Sequence, residues 1–479
     1  MSDKFAYILA KEGQRSGKYR HIFGEAKKQD KWFKDIKNPL TVGEGSYLVA
    51  NSKFFAVSKS SGGGPVYIMK LDKPGRMQAT MPVLSVQKGK VLDMDFHPFI
   101  TNMIATVSED CSVAVSQFPK EGLTKSVTTA EVIMKGHGKK VALTKFNPSA
   151  NSILASGSFD RTVKVWNIES GSCINTFKAM KDNIYSLEWN KDGSLLSCTS
   201  KDKKLYVFDP RIPDEATSTE AFDGTKSSKV FWMPNLGWIG STGFSKQAKR
   251  QIKFWDLKNL SKPIYSTNLD QAASVNMPYY DNDSGVLFYF GKGDGSVNWC
   301  EIINDNKKLY PLGSYRSTDP QKGGGFVPKK GLDVWKCEIG RFLKLTKNSV
   351  IPIPLVVPRK AGADVFQGDI YPDAYAGKPA LNAADWIKGE NKDPVLMSLD
   401  PDQRDDSKDD DAQFVKKKTY EELEAECEAL KLRVKELEAQ LGINQDADEQ
   451  KGDDAPPADA DEPNDAPADE AAADDVPDQ

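Results

Sequence analysis

His137 is followed by Ser156, Asp160 and Trp166, a set in which the imidazole could serve as a general base or as a metal ligand. The other histidines, His21 and His97, stand apart, and none of the three has a partner at metal-ligand spacing. The chain contains no phosphate-binding Walker loop, no GxSxG and no HExxH. The glycine runs 62–64 and 323–325 lack the following helix that would present amides to a phosphate, so they read as hairpin turns. The six cysteines are scattered with no CxxC pair, which points to a reducing compartment without disulfides or structural zinc. No enzyme activity, cofactor or metal is therefore expected. A different chemistry is carried by basic clusters: Lys31, Lys34 and Lys37 in KWFKDIKNP, then Lys201, Lys203, Lys204 and Arg211, then Lys329 and Lys330. Residues 400–479 carry a net −19 of the chain's −3, which leaves +16 on residues 1–399. A body so basic calls for an acidic partner, such as an acidic protein polymer or anionic lipid. No aromatic-interleaved basic stripe or RNA-binding motif supports nucleic acid.

The elements that position these residues recur. Residues 107–118, 157–168, 199–210 and 291–302 read VSEDCSVAVSQF, GSFDRTVKVWNI, TSKDKKLYVFDP and GKGDGSVNWCEI. Each has small residues, an aspartate in a turn and an alternating apolar strand. The turn aspartates are Asp110, Asp160, Asp202 and Asp294, with spacings of 50, 42 and 92, the last about two periods of 46. A missing copy, GSTGFSKQAKRQIKFWDL at 240–257, fills the gap with a longer turn. A period of ~40–45 residues is that of a β-propeller blade. A degenerate first unit at 46–72, five clear ones through ~302 and a weak one at ~310–350 predict an all-β, seven-bladed propeller over residues 1–350. The segment YRHIFG, 19–24, is expected to complete the last blade and seal the ring, which removes an open sheet edge.

The rest of the chain departs from the repeat. Residues 351–399 are punctuated by proline, and their aromatics Phe366, Tyr371, Tyr375 and Trp386 predict an extension packed on the propeller. Residues 400–418 form a charged linker. Residues 419–441 carry a heptad seam with Tyr420, Cys427, Val434 and Leu441 at a and Leu423, Leu430 and Leu437 at d. Thr419 and Glu422 make a capping box. About 35 Å of helix is marginal alone, so the seam implies self-association. Arg433 at g and Glu438 at e fit a trimer, in which the guanidinium reaches the glutamate of a neighbouring helix; dimer and tetramer stay open. Residues 442–479 are rich in Asp, Ala and Pro and read as a disordered acidic tail. The N-terminus lacks a signal peptide's apolar core and no apolar run is long enough to span a membrane, so a cytoplasmic protein is expected.

Gly136-His137 with Ser156, Asp160 and Trp166 matches the hydrogen-bonded tetrad of WD-repeat blades, which makes His137 structural rather than catalytic. Beyond it, YRHIFG (19–24), VLDMDFHPF (91–99), VSEDC (107–111), SKDKKLYVFDPR (200–211), GKGDGSV (291–297), VPRK (357–360) and DVFQGDIYPDAYAG (364–377) follow one another in the order found in the coronin family. The chain resembles that family over roughly residues 18–441. The resemblance implies binding of filamentous actin by the propeller, oligomerisation by the coiled coil and bundling of filaments at the cell cortex. It also brings in an actin-nucleating complex as a further partner. The family's filament-binding arginine near the N-terminus falls at Lys37 of Asp35-Ile36-Lys37; lysine keeps the charge and loses the planar fork. The rival expectation is a propeller scaffold for other complexes or membrane trafficking, with no direct actin contact.

Overall fold

A computed structural model describes residues 17–37, 39–40, 43–78, 80–213, 215–303, 308–359, 365–404, 414, 416 and 420–441. The expected disordered tail, Thr419 and most of the charged linker lie outside the described residues. Residues 1–417 make one compact unit and residues 418–479 a second.

The first unit is a seven-bladed propeller. Blade one is the three-stranded sheet Leu48–Ala50, Phe54–Ser58 and Val66–Lys70. Blades two to six are four-stranded antiparallel sheets whose innermost strands are Val91–Phe96, Val141–Phe146, Ile184–Trp189, Lys229–Met233 and Asn276–Asp281. Blade seven is built on Gly323–Val327, Glu338–Leu345 and Ser349–Val356, so the glycine run 323–325, expected as a hairpin turn, instead forms its innermost strand, paired with Leu343–Leu345. The sequence repeat and the blade are out of phase. Val132–Lys135 directly precedes the His137 set in sequence, yet it pairs with Ser112–Gln117 as the outer strand of blade two. Phe23 and Gly24 pair antiparallel with Val356 and Leu355, so both ends of the propeller chain meet in one sheet and the ring closes. The predicted end of the propeller at residue 350 falls inside the strand Ser349–Val356. Its prolines alternate in IPIPLVV, yet the strand keeps its ladder because Pro352 and Pro354 pair with Leu343 and Arg341 as acceptors only.

Alternation explains the blades locally. In Val163–Asn167, Val163, Val165 and Trp166 are buried while Lys164 is half-exposed. Facing blades bury their aromatic and branched residues against each other, with Trp166, Trp255 and Trp299 almost fully enclosed.

Strand polarity gives the ring two distinct faces. Every innermost strand starts at the same end. That end therefore collects the connections between blades and the hairpin turns between second and third strands; we call it the turn face. The other end collects the remaining turns. After the last strand, residues 365–404 run across this second face as a strap. Tyr371 donates to the Glu338 carbonyl (3.0 Å), and the Ala380 amide to the Ser149 carbonyl (2.9 Å). The short helix α1, Ala383–Ile387, is capped by Asn382, which accepts from the Asp385 amide (2.9 Å). It buries Trp386 completely, and the indole donates to the Gly193 carbonyl (2.8 Å).

On the turn face the loop 43–46 crosses the propeller axis. The Glu44 carboxylate accepts from Lys229 of blade five (2.9 Å), and Lys292 of blade six donates to the Gly43 carbonyl (3.1 Å). The Gly324 amide of blade seven donates to the Ser46 carbonyl (3.2 Å). Gly45 sits so tightly on blade two that a Cβ there would lie 2.6 Å from Asp93 Oδ1 and 2.8 Å from the Leu92 carbonyl. A backbone neighbour has little room to yield. Gly45→Ala is expected to lower stability by about 1–2 kcal/mol, read by denaturant unfolding.

Candidate protein-interaction face

The His137 set resolves into a closed relay. The Trp166 indole donates to Ser156 Oγ (2.8 Å), Ser156 pairs with His137 Nε2 (2.7 Å), and His137 Nδ1 pairs with Asp160 Oδ2 (2.9 Å). Both ring nitrogens are occupied, so no lone pair is free for general base catalysis. Burial alone would raise the Asp160 carboxyl. Hydrogen bonds from His137, Thr162 and the Gly138 amide outweigh it and hold the carboxyl far below the usual range. Ser156→Ala would leave a buried indole N–H and an imidazole nitrogen unpaired. The expected loss is about 2 kcal/mol, measurable by thermal or denaturant unfolding. His97 is likewise structural: its Nδ1 accepts from the Phe99 and Ile100 amides (3.1 Å each), and burial lowers it to about 3. Among the described residues, no group of three or more His, Cys, Asp and Glu could hold a metal ion. No helix of the described residues is long and apolar enough to cross a membrane.

The turn aspartates do one job repeatedly. Asp110 accepts from the Lys88 amide (2.7 Å), Asp160 from the Gly138 amide (2.9 Å) and Asp202 from the Lys181 amide (2.9 Å). Each bond ties a connection between blades to the neighbouring hairpin turn. Asp294 departs from this pattern. It accepts from Arg250 (2.6 Å), whose guanidinium also grips Asp270, so one arginine joins blades five and six.

These ties place a series of lysines on the turn face. Lys201 and Lys203 are exposed in the blade-four hairpin turn, with Lys203 in the left-handed region (φ 72°) and Lys201 3.7 Å from Asp182. Lys204, which opens the third strand, is half-buried. Phe33–Lys34 pairs with Val350–Ser349 and so runs toward the same face, where exposed Lys37 follows. The Ile36 amide is anchored on the Asn348 carbonyl (2.9 Å) in the blade-seven turn. Two clusters 164 positions apart in sequence thus come to one end of the ring.

Sequence reasoning missed residues that belong with them. Gly75–Arg76 runs parallel beside Phe33–Lys34. Arg76 Nε pairs with Asp35 Oδ2 at 2.8 Å, and 80% of the arginine side chain stays exposed. Lys88, Lys139, Lys181, Lys226 and Lys249 are also exposed at this end. They are scattered along the chain, some with basic neighbours such as Lys140 and Arg250, and a constant phase, just before an inner strand or in a hairpin turn, unites them.

The other predicted basic residues lie at the opposite end and are already engaged. Arg211 is bidentate to Asp209 (2.9 and 2.8 Å), donates to Asn391 Oδ1 (2.7 Å) and lies 5.5 Å from the Trp386 ring centre. It clamps the strap, and its side chain is 9% exposed. Lys329 is buried between Asp281 (2.9 Å) and Asp283 (3.5 Å). Lys330 donates to the Ala376 carbonyl of the strap (3.2 Å). Burial and pairing remove Arg211 and Lys329 from a contact surface, and Lys330 belongs to the strap side.

In the second unit, the helix α2 spans Tyr420–Leu441. Leu423, Leu430, Val434 and Leu437 are each 43–60% exposed, and Cys427 is exposed too. Arg433 pairs with Glu436 of its own helix at 2.9 Å. The side chains of Tyr420, Glu438 and Leu441 lie outside the described residues.

The comparisons follow this division of the chain. Residues 128–167 and 171–209 match the WD domain, G-beta repeat model, and residues 350–394 match a model described as a type of WD40 repeat. Residues 12–76 match a domain of unknown function, DUF1899. Coronin-2A of Homo sapiens is 36% identical over 395 residues, 81% of this chain and 75% of that protein. Coronin-A of Dictyostelium discoideum is 35% identical over 450 residues, 90% of this chain and 97% of that protein. The crystal structure of the WD40 domain from Toxoplasma gondii coronin is 34% identical, with a TM-score of 0.76, covering 80% of this chain and 98% of that one. With such identity along most of its length, carried on a closed seven-bladed ring with a strap, the chain belongs to the coronin family of WD-repeat proteins.

Proposed function

We propose that this protein binds actin filaments through the turn face of its propeller and cross-links them through self-association of helix α2, regulating actin dynamics in the cytoplasm. One observation carries the reading. In a coronin-family chain, exposed Lys37, Arg76, Lys201 and Lys203 gather at one end of a body that carries +16. An acidic filament surface is the complement of that face. The exposed leucines of α2 support oligomerisation, because apolar side chains at heptad spacing gain by covering one another. The strap leaves this end of the ring uncovered. Anionic lipid is a further partner with the same acidic chemistry, tested by flotation with anionic vesicles, and an actin-nucleating complex is a further partner for the C-terminal region. A pull-down with purified actin alone separates direct filament binding from a scaffold that reaches actin through other proteins. Capture by actin alone supports the proposal, and capture only in the presence of a third protein overturns it.

A further inference from the structure

A second site lies on the strap face and owes nothing to the filament reading. A cavity of about 540 Å³ opens there between the inner strands and the strap, which contributes Tyr375, Lys378 and Leu396 to its lining. The loop 43–46 crosses the axis at the other end, so the way in is from the strap side.

The interior has more acceptors than donors. Asp95, Glu188 and Lys145 line the cavity, and Asp93 lies behind them on the same inner strand as Asp95. Asp95 accepts from the Phe146 amide (2.9 Å) and Asp93 from the Thr144 amide (3.1 Å), which fixes both carboxyls at the seam of blades two and three. The one base among them, Lys145, is 3.4 Å from Glu188, and that pairing dominates the charges that hold its proton. Asp95, Glu188 and Asp93 thus have Lys145 as their shared ammonium, with Lys229 also acting on Asp93 from behind, while a further lining carboxyl, Asp283, is 3.5 Å from Lys329. Burial accordingly raises Asp95 to about 7 and Asp93 to about 6, with Lys145 only partly offsetting it. A further lining residue, Asn282, has a buried Oδ1 with no hydrogen-bond partner among the described residues. The wall includes Tyr279, stacked on Phe326 (centroids 4.4 Å apart, planes 10° apart) and 37% exposed. Lys191, Lys330 and Lys378 also line the cavity, Lys330 with its ammonium on the Ala376 carbonyl.

We propose that this cavity receives the side chain of an arginine carried on an extended segment of a partner protein, with acidic residues beside that arginine meeting Lys191 and Lys378. A guanidinium supplies five donors and no acceptor, which suits carboxylates and an amide oxygen short of donors. Its flat face stacks on an aromatic ring such as Tyr279. A bare cation would meet the two lysines unfavourably, so the charge pattern selects an arginine set among acids over a polybasic stretch.

Calorimetric titration of the full chain tests this with a short blocked peptide, one arginine flanked by aspartates, against the same peptide with norleucine at the centre. The arginine peptide is expected to bind at least about 10-fold more tightly. Asp95→Asn should erase that margin. The variant removes a charge that burial opposes and keeps an acceptor for the Phe146 amide, so the fold is retained. Lys191→Glu, a second and independent variant, should weaken both peptides and leave their ratio unchanged. Equal binding of the two peptides, no binding of the arginine peptide, or a margin that survives Asp95→Asn would overturn the proposal.

Discussion

The combined substitutions Lys37→Glu, Arg76→Glu, Lys201→Glu and Lys203→Glu are expected to weaken filament binding about 100-fold. All four sit on the turn face, and all four are exposed. A single rim charge contributes roughly 0.5–1 kcal/mol. Reversal adds repulsion to the lost attraction, so four changes together reach about 3 kcal/mol, which is the 100-fold effect. Stability should change little. Lys201 loses only a 3.7 Å pairing with Asp182, and the Arg76–Asp35 pair is open to water. The control is Lys191→Glu with Lys378→Glu on the strap face, which should bind filaments like the wild type. Binding isotherms from high-speed co-sedimentation decide it. If the two sets of variants behave alike, net charge matters and the turn face does not.

Replacing Leu430 and Leu437 with aspartate is expected to abolish bundling while leaving binding to single filaments. Both residues are at d, and both are exposed on α2. A helix this short gains its stability from a partner, and an unpaired carboxylate buried in the seam would make that pairing unfavourable. Joining propellers turns the second contact into an intramolecular one, with avidity gains of roughly 10²–10⁴. Apparent affinity should therefore fall to that of one propeller. Sedimentation equilibrium reads the change to monomer, and low-speed pelleting of filaments reads the loss of bundles. Bundles formed by the monomeric variant would show that one propeller carries two filament sites. The same sedimentation run on the unaltered chain separates the trimer favoured by Arg433 and Glu438 from a dimer or tetramer.

What the sequence disclosed and what it hid have physical causes. The ring was legible because four blades write themselves locally, as small residues, a turn aspartate and an alternating strand, and their period places the others. The relay through His137 was legible because Ser156, Asp160 and Trp166 fall within one repeat. Closure by YRHIFG followed from the need to pair an edge. The loop 43–46 was invisible, because Glu44 finds Lys229 185 residues away. The basic residues divided for the same reason. A lysine or arginine shows its charge in sequence and hides its partner, so Lys329 looked like surface until Asp281 and Asp283 closed on it. Arg211 had a nearer warning in Asp209, two positions before it, whose carboxylate could claim the guanidinium. Arg76 escaped notice because a parallel pairing, unusual in an antiparallel ring, delivers it beside Asp35.

The central claim is that an exposed basic face meets an acidic filament directly. Co-sedimentation of the purified full chain with purified actin filaments, repeated from low to high salt, tests it most directly. Screening shortens the reach of exposed charges from about 30 Å at 0.01 M to about 8 Å at 0.15 M. The protein should therefore pellet with filaments at low salt, and the bound fraction should fall steadily as salt rises. Failure to pellet at low salt, or pelleting that salt leaves unchanged, would contradict it.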